Sequence, residues 1–445
     1  MDIEKEITEE SWKNRAAAFQ KKIKDYDDQI FDKMKADGWK SNGFKERTMT
    51  FSWGTVTFSR RQYIKNGKVR TPVDEHFGFE KRQRVSYDVL LKAAKEASKA
   101  TYRSVQETLW DLSHINISTW TVFKAVGNVS TLLEEREKYR YFEEEYANEK
   151  KIAAFIYIDA DGVMLHSKQP NAEGKYWKDY AHIALHFGVK RVGKKRYKCV
   201  GKKEFFGGSL EEIRQQVIDY VYNHYEVLPT TLVVTNSDGG AGYAPKAMKK
   251  LVKELGRCRH EHFWDRYHKN KAIFDGTKAY PGAVSKAVYK AVSKRDFALL
   301  EQTFQTMQDT VDSLAEGAIK EKRQDDLNVF RNKFLENWEC TASPQQRGID
   351  PHGISFIESS HRKITYRSKN RGMYWSERNA VAIAHLIILS GEGMLDELFH
   401  GNWRETYEKY QEVDGGRIHQ KIIGESRIRG QQVTRNNLGR LTSKY

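Results

Sequence analysis

The chain has 445 residues, 39% hydrophobic and 12% aromatic, enough for a sizeable core and for two or three domains. Its 76 Lys and Arg against 60 Asp and Glu leave a formal charge of +16, a balance that points to a polyanionic partner, nucleic acid first. Three widely spaced cysteines, Cys199, Cys258 and Cys340, form no CxxC pair, which excludes a zinc ribbon and a disulfide framework. No apolar run approaches the roughly 20 residues of a membrane span, and the polar first residues lack a signal-peptide core, so a cytoplasmic, nucleoid-associated protein without a membrane partner is expected.

Trp12, Phe19, Ile23, Tyr26, Ile30 and Met34 follow helical spacing, which predicts a helix stopping near Gly38. TMTFSWGTVTFSRRQYI alternates and breaks at Gly54, so it reads as a strand pair or a bulged strand, with a hairpin turn at Asn66-Gly67-Lys68. Residues 1–85 are therefore a helix plus β-hairpin region. Residues 86–150 read as helical. Within them Tyr102 to Leu112, with Val105, Leu109 and Leu112 inward, a HINI turn, and a second helix capped by Ser118 have helix-turn-helix form. Ser118, Thr119, Thr121 and Lys124 would then meet DNA. A plain helical hairpin is the competing reading. The charged residues 130–150 would link to the next domain.

From 151 the order is strand, strand, strand, helix, strand, helix, strand. The strands are IAAFIYIDADGVML, YAHIALHFGVKR, KRYKCVGKKEFF, TTLVVTNS and RCRHEHFWD. An antiparallel meander followed by two αβ units is the ribonuclease-H-like order. The expected fold is α/β: a ribonuclease-H-like three-layer domain with a mixed five-stranded sheet, preceded by an α+β N-terminal region with a helix-turn-helix. Residues 151–267 would form the first part of the catalytic core and 346–414 the second. Residues 268–345 are charged and helical, and too long for a structureless loop, so they read as an all-helical insertion. The residues from 415 form a basic tail.

Three acids stand where a pair of Mg²⁺ ions would need hard oxygen ligands. Asp161 ends the first strand, Asp238 follows the fourth, and Glu358 lies far downstream in SFIESSHRK. Strands one and four are neighbours in such a fold, so Asp161 and Asp238 would converge. Asp159 alternates with Asp161 on the same face and is the alternative first acid. Arg362, Lys363, Arg367, Lys369 and Arg371 follow Glu358 closely and would contact phosphates. Trp375 reads as packing, and Asp265 and His268 as support for the rim of the site. Cys258, His260 and His262 alternate along one strand, which rarely supplies a tetrahedral zinc set. The basic hairpin from Lys190 to Lys203 carries eight Lys or Arg, a solvated ribbon that in a nuclease would track a phosphate backbone.

The chain resembles the ISLre-type insertion-sequence transposases. The resemblance rests on WGTVTFSRRQY, ATYRSVQETL, ISTWTVFKAVG, DADGV, NSDGG, DRYH at 265–268 and, most specifically, IESSHRKITYRSKNRGMYWSERNA. It implies a DDE transposase with Asp161, Asp238 and Glu358 as the triad. It further implies two Mg²⁺ ions, with Mn²⁺ as a substitute, and cutting and joining of double-stranded DNA at element ends and target. A homo-oligomer on that DNA, a dimer, is expected. Two departures stand out: the second acid at 159, and Gly239-Gly240 after Asp238. A structure-selective nuclease of the junction-resolvase kind and an inactive DNA-binding derivative are the alternatives.

Overall fold

The computed structural model describes residues 3–143, 150–194, 196–240 and 242–412. These divide into two compact units, one from residues 1–139 with 382–409 and the other from 140–381. The expected basic tail from 415 lies outside the described residues.

In the first unit, helix α1 (Ile3–Ala36) buries Ala16 and Ile23 against strands β1 (Lys40–Phe51) and β2 (Gly54–Lys65), which pair antiparallel. Gly54 turns between them at φ +140°, and a Cβ there would lie 2.1 Å from the Trp12 indole, so no other residue fits. The Asn66-Gly67 hairpin is present. Both residues have positive φ, and Lys65 pairs with Lys68.

Helices α2 (Tyr87–Ala97), α3 (Tyr102–Ser113) and α4 (Thr119–Glu143) follow. Thr101 caps α3, and His114 closes it in the left-handed region. Val105 and Leu109 are buried as expected, but Leu112 is 80% exposed, a correction to the helical face read from sequence. Helix α4 runs on to Glu143, so the recognition-helix candidate and the expected charged linker are one helix.

The second unit holds a five-stranded sheet of β3 (Phe155–His166), β4 (Trp177–His186), β5 (Lys203–Gly207), β6 (Leu232–Ser237) and β7 (Arg259–Trp264). The spatial order is β7-β6-β3-β4-β5, with β3, β4 and β5 antiparallel and β3, β6 and β7 parallel. The expected second and third strands are each cut short. Gly188 and Gly201 take positive φ, and Val189–Gly193 and Arg196–Cys199 fold away as a separate two-stranded ribbon.

On one face Ile156, Ile158 and Ala160 of β3 and Ile183 and Leu185 of β4 pack under helices α5 (Leu210–His224) and α6 (Pro245–Leu255). Ser209 caps α5 by accepting the Glu212 N–H, as the sequence implies. Side chains alternate along β3, so Tyr157, Asp159 and Asp161 share the opposite face.

Helix α7 (Arg266–Thr277) leads into α8 (Gly282–Lys294), α9 (Phe297–Asp312) and α10 (Ala318–Asn337). They share a core of Ile273, Val288, Phe304, Met307, Phe330 and Phe334. This is the all-helical segment expected at 268–345. Helix α11 (Ile357–Ser368) then returns to β3.

The expected boundary at 414 moves. Helix α12 (Glu377–Glu392) has residues in both units, and those from 382 onward, with α13 (Leu395–His400) and α14 (Trp403–Glu412), belong with the first. Lys95–Asp396 at 2.6 Å and Arg136–Glu397 at 2.6 Å hold them there.

Candidate active site

Strand register brings the first two acids together. Asn236 pairs with Asp159 and Ser237 with Ala160, so the next residue, Asp238, comes level with Asp161, just past the stretch where the two strands run paired in parallel. The Asp238 carboxylate accepts the Gly240 N–H at 2.8 Å. Gly239 is left-handed at φ +72°, and a Cβ on Gly240 would lie 2.9 Å from Asp238 Oδ2. The double glycine thus lets the backbone fold onto the carboxylate. The Trp264 indole fixes the same turn, donating to the Asp238 carbonyl at 2.9 Å.

Asp161, Asp238 and Glu358 line one cleft of about 760 Å³ together with Asp265 and His268. Glu358 is exposed in the first turn of α11. The Asp161 carboxyl is pushed up to about 7, by burial first and then by the nearby Asp238 charge.

Asp159 behaves differently. It is fully buried and does not line the cleft. Its Oδ2 accepts the backbone N–H groups of Phe356 at 2.6 Å and Ile357 at 3.2 Å. Helix α11 has no side-chain cap of its own, so this strand carboxylate caps it from the sheet. Burial raises the Asp159 carboxyl to about 7 even though the two N–H groups oppose the shift. Asp159 holds the helix that carries Glu358.

Asp265 caps α7, accepting from the backbone of Tyr267 at 2.9 Å and His268 at 3.2 Å, and from the Ser355 hydroxyl at 3.0 Å. Burial would raise its carboxyl, but its hydrogen bonds with His268 and Ser355 outweigh that and bring it to about 2. His268 Nδ1 lies 3.2 Å from Asp265 Oδ1, and that bond raises the imidazole pKa although burial opposes it. Both residues line the cleft.

Sequence reasoning missed three neighbours of the triad. Asp179 on β4 reaches across Gly162, where a Cβ would lie 2.6 Å from its Oδ1; burial, then Asp238, raises its carboxyl. His361 sits three residues after Glu358, with Nδ1 3.4 Å from Asp161 Oδ2. Behind it the His182 ring stacks at 4.8 Å, and His182 Nε2 meets Glu204 at 3.1 Å. Lys202 joins Glu204 at 2.7 Å and Ser360 at 2.6 Å. The only sequence signal for His361 is the i,i+3 spacing of Glu358-Ser-Ser-His361, which puts both on one helix face.

The basic cluster after Glu358 splits. Arg362 and Arg371 are exposed, and Arg371 lies over the Tyr366 ring. Lys369 is half-buried over Trp177. Arg367 is 1% exposed, beside Met373 and over Trp375, so it cannot contact DNA as expected. Trp375 does pack: its indole donates to the Ser368 carbonyl at 2.8 Å and its N–H to the His166 carbonyl at 3.0 Å.

In the helical region, Ser118 accepts the Thr121 N–H at 3.2 Å and shares a hydroxyl contact with Thr121, whereas Thr119, Trp120 and Lys124 are exposed. His260 and His262 both bond Thr235 Oγ1 at 2.8 Å, and burial pushes them down to about 4 and about 3. They are hydrogen-bonded histidines.

Among the described residues, no three His, Cys, Asp or Glu side chains are gathered tightly enough to hold a metal ion. The donor chemistry of the cleft nevertheless fits a hard cation. Its acids are oxygen donors, and the Asp161 carboxyl is raised by burial first and then by the neighbouring Asp238 charge.

The model of the uncharacterised protein family UPF0236 matches residues 1–406. The chain belongs to this family. A UPF0236 protein from the vanSb 3′ region of Streptococcus gallolyticus is 26% identical over 370 residues, covering 82% of this chain and 77% of that one. A chain of the Drosophila P element transposase strand transfer complex aligns over 82% of this chain and 96% of its own, at 12% identity and a TM-score of 0.23. That superposition is too loose to bear on fold or function. Among the described residues no helix is long and apolar enough to cross a membrane.

Proposed function

We propose that this UPF0236 chain is a transposase that binds double-stranded DNA at element ends and cuts and joins it by metal-dependent phosphoryl transfer. The observation that carries this reading is the convergence of Asp161 and Asp238 from adjacent parallel strands into one cleft with Glu358. The sheet order, with three antiparallel strands followed by two parallel ones, supports a ribonuclease-H-like assignment for the second unit.

Asp161, Asp238 and Glu358 would hold two Mg²⁺ ions, or Mn²⁺ in their place. When bound, the ions would supply activation of a water or 3′-hydroxyl nucleophile and stabilisation of the leaving oxygen. The chain's own residues do the positioning. Asp159 fixes the start of α11, the Gly162 N–H holds one oxygen of Asp161, and His361 Nδ1 lies beside the other. Asp265 and His268 form the opposite rim. Arg362, Lys369 and Arg371 would contact the DNA backbone near Glu358. Thr119 and Lys124, with Ser118 and Thr121 shaping the start of α4, would contribute to reading the ends. A dimer on DNA, in the cytoplasm at the nucleoid, completes the reading.

The test is cleavage of duplexes carrying the DNA that flanks this reading frame, with Mg²⁺ or Mn²⁺. Wild type should nick at the element boundary and join the product to a second duplex, and Asp161→Asn, Asp238→Asn and Glu358→Gln should not. Cutting without joining would favour a structure-selective nuclease. Binding without cutting by wild type would leave a DNA-binding derivative.

A further inference from the structure

We propose that the ribbon of Val189–Gly193 and Arg196–Cys199 is an arm that grips duplex DNA leading to the cleft. The inference rests on the DNA reading above and adds a contact surface to it.

A two-stranded ribbon standing apart from a sheet is marginal unless something covers it. Most of this one is exposed. Lys190, Arg191, Lys194, Arg196, Tyr197 and Lys198 are all exposed, and Val192 is 57% exposed. The sequence from Tyr180 to Lys203 contains no Asp or Glu. Among the described residues, no carboxylate pairs with Lys190, Arg191, Lys194, Arg196 or Lys198; the Arg191 guanidinium bonds the turn carbonyls of Gly193 and Lys194.

The register makes the arrangement costly. Lys190 stands directly opposite Lys198 across the ribbon, and like charges in that position destabilise a strand pair. Arg196 alternates onto the same face as Lys198. One face therefore carries three uncompensated cations, and a polyanion would remove the repulsion.

The other face is anchored toward the cleft. Tyr197 stacks on His352 with ring centroids 3.8 Å apart. His352 lies in the segment whose neighbours Pro351 and Ile354 line the cleft, and buried His186 holds Gly353 by its carbonyl at 2.9 Å. A five-residue strand spans about 16 Å. A two-stranded ribbon of that size fits the major groove, about 12 Å wide and bounded by phosphates.

The experiment is equilibrium binding of the full chain to a random-sequence duplex over a range of salt, with thermal melting alongside. The triple variant Lys190→Ala, Arg196→Ala and Lys198→Ala should lower the slope of log affinity against log salt by about 2 to 3, at about 0.9 per lost phosphate contact. The loss should be equal for any duplex sequence. The single variant Lys190→Glu replaces a like-charge pair with an opposite-charge one, so it should weaken binding while holding or raising the melting temperature. An unchanged slope in the triple variant, or unchanged affinity in Lys190→Glu, would overturn the arm while leaving the DNA reading intact. A wild-type chain that binds no duplex at low salt would overturn the DNA reading itself, and the arm with it.

Discussion

His361 Nδ1 lies 3.4 Å from Asp161 Oδ2, while Asp161 Oδ1 accepts the Gly162 N–H at 2.7 Å. Both oxygens of the first acid are thus oriented by the chain. His361 is itself held from behind by the stacked His182 ring, and burial pushes its imidazole down to about 3, so it is neutral at ordinary pH.

A neutral ring in that position can present an Nδ1–H toward Asp161. The side-chain nitrogen of Asn can occupy the Nδ1 position, whereas that of Gln reaches the Nε2 position. His361→Asn should therefore retain most of the cleavage rate, and His361→Gln should lose about 10- to 100-fold, the usual cost of removing a group that orients a ligand. The Mg²⁺ concentration for half-maximal rate should rise in parallel. Equal effects from Asn and Gln would reduce His361 to packing.

Asp159 and Asp161 should separate cleanly by measurement. Asp159→Ala strands the Phe356 and Ile357 N–H groups at the buried start of α11. A lost cap and an unsatisfied buried donor together should cost about 2 to 4 kcal/mol in urea denaturation. Asp161→Ala touches no helix terminus and should abolish cleavage with little loss of stability. Should Asp159→Ala melt like wild type, the capping role would be wrong.

The acid pair was legible because both residues end apolar runs, although β3 continues past Asp161 to His166. Which Asp of the Asp159–Asp161 pair serves the cleft was not legible. That depends on where α11 begins, almost two hundred residues later. Arg367 read as a phosphate contact because the charges around it are exposed. Its burial depends on Trp375 folding back over it, a contact that charge patterning does not encode. The strands YAHIALHFGVKR and KRYKCVGKKEFF extend too far in the sequence reading because Gly188 and Gly201 read as residues inside them, and only their positive φ detaches the ribbon.

The raised Asp161 carboxyl has a stability consequence with a definite sign. Its folded value is about 7 against an ordinary 3.8, so the folded state holds the proton more tightly. Its contribution is fully present below pH 3.8 and is lost as pH rises toward 7. Asp161→Asn cannot ionise. Its melting temperature relative to wild type should therefore climb across that window and level off above it. At about 1.4 kcal/mol per pKa unit, and allowing for partial solvent screening, the gain should be about 2 kcal/mol at pH 8. Mg²⁺ should raise the wild-type melting temperature at pH 8 and leave Asp161→Asn nearly unmoved. A difference that is flat between pH 4 and 8 would show that Asp161 is not under electrostatic strain.

Four of the cations after Glu358 should divide into one structural residue, Arg367, and three DNA-contacting ones, Arg362, Lys369 and Arg371. Arg367 is sealed beside Met373 with its guanidinium over Trp375, and Trp375 ties the end of α11 to the end of β3. Removing so large a buried side chain leaves a cavity that typically costs about 2 to 5 kcal/mol, so Arg367→Ala should melt far below wild type. While still folded, it should bind duplex DNA with an unchanged salt slope. Arg362 and Arg371 are exposed, and Lys369 keeps its ammonium group over Trp177 at the surface. Their replacement by Ala should leave stability within about 0.5 kcal/mol, the usual range for surface changes. Each should instead flatten the salt dependence of DNA binding by up to about 0.9 per lost phosphate contact. Melting curves and salt titrations on the same four variants separate the two classes. An Arg367→Ala protein with wild-type stability and a flattened slope would return Arg367 to the DNA-contacting set and contradict its burial.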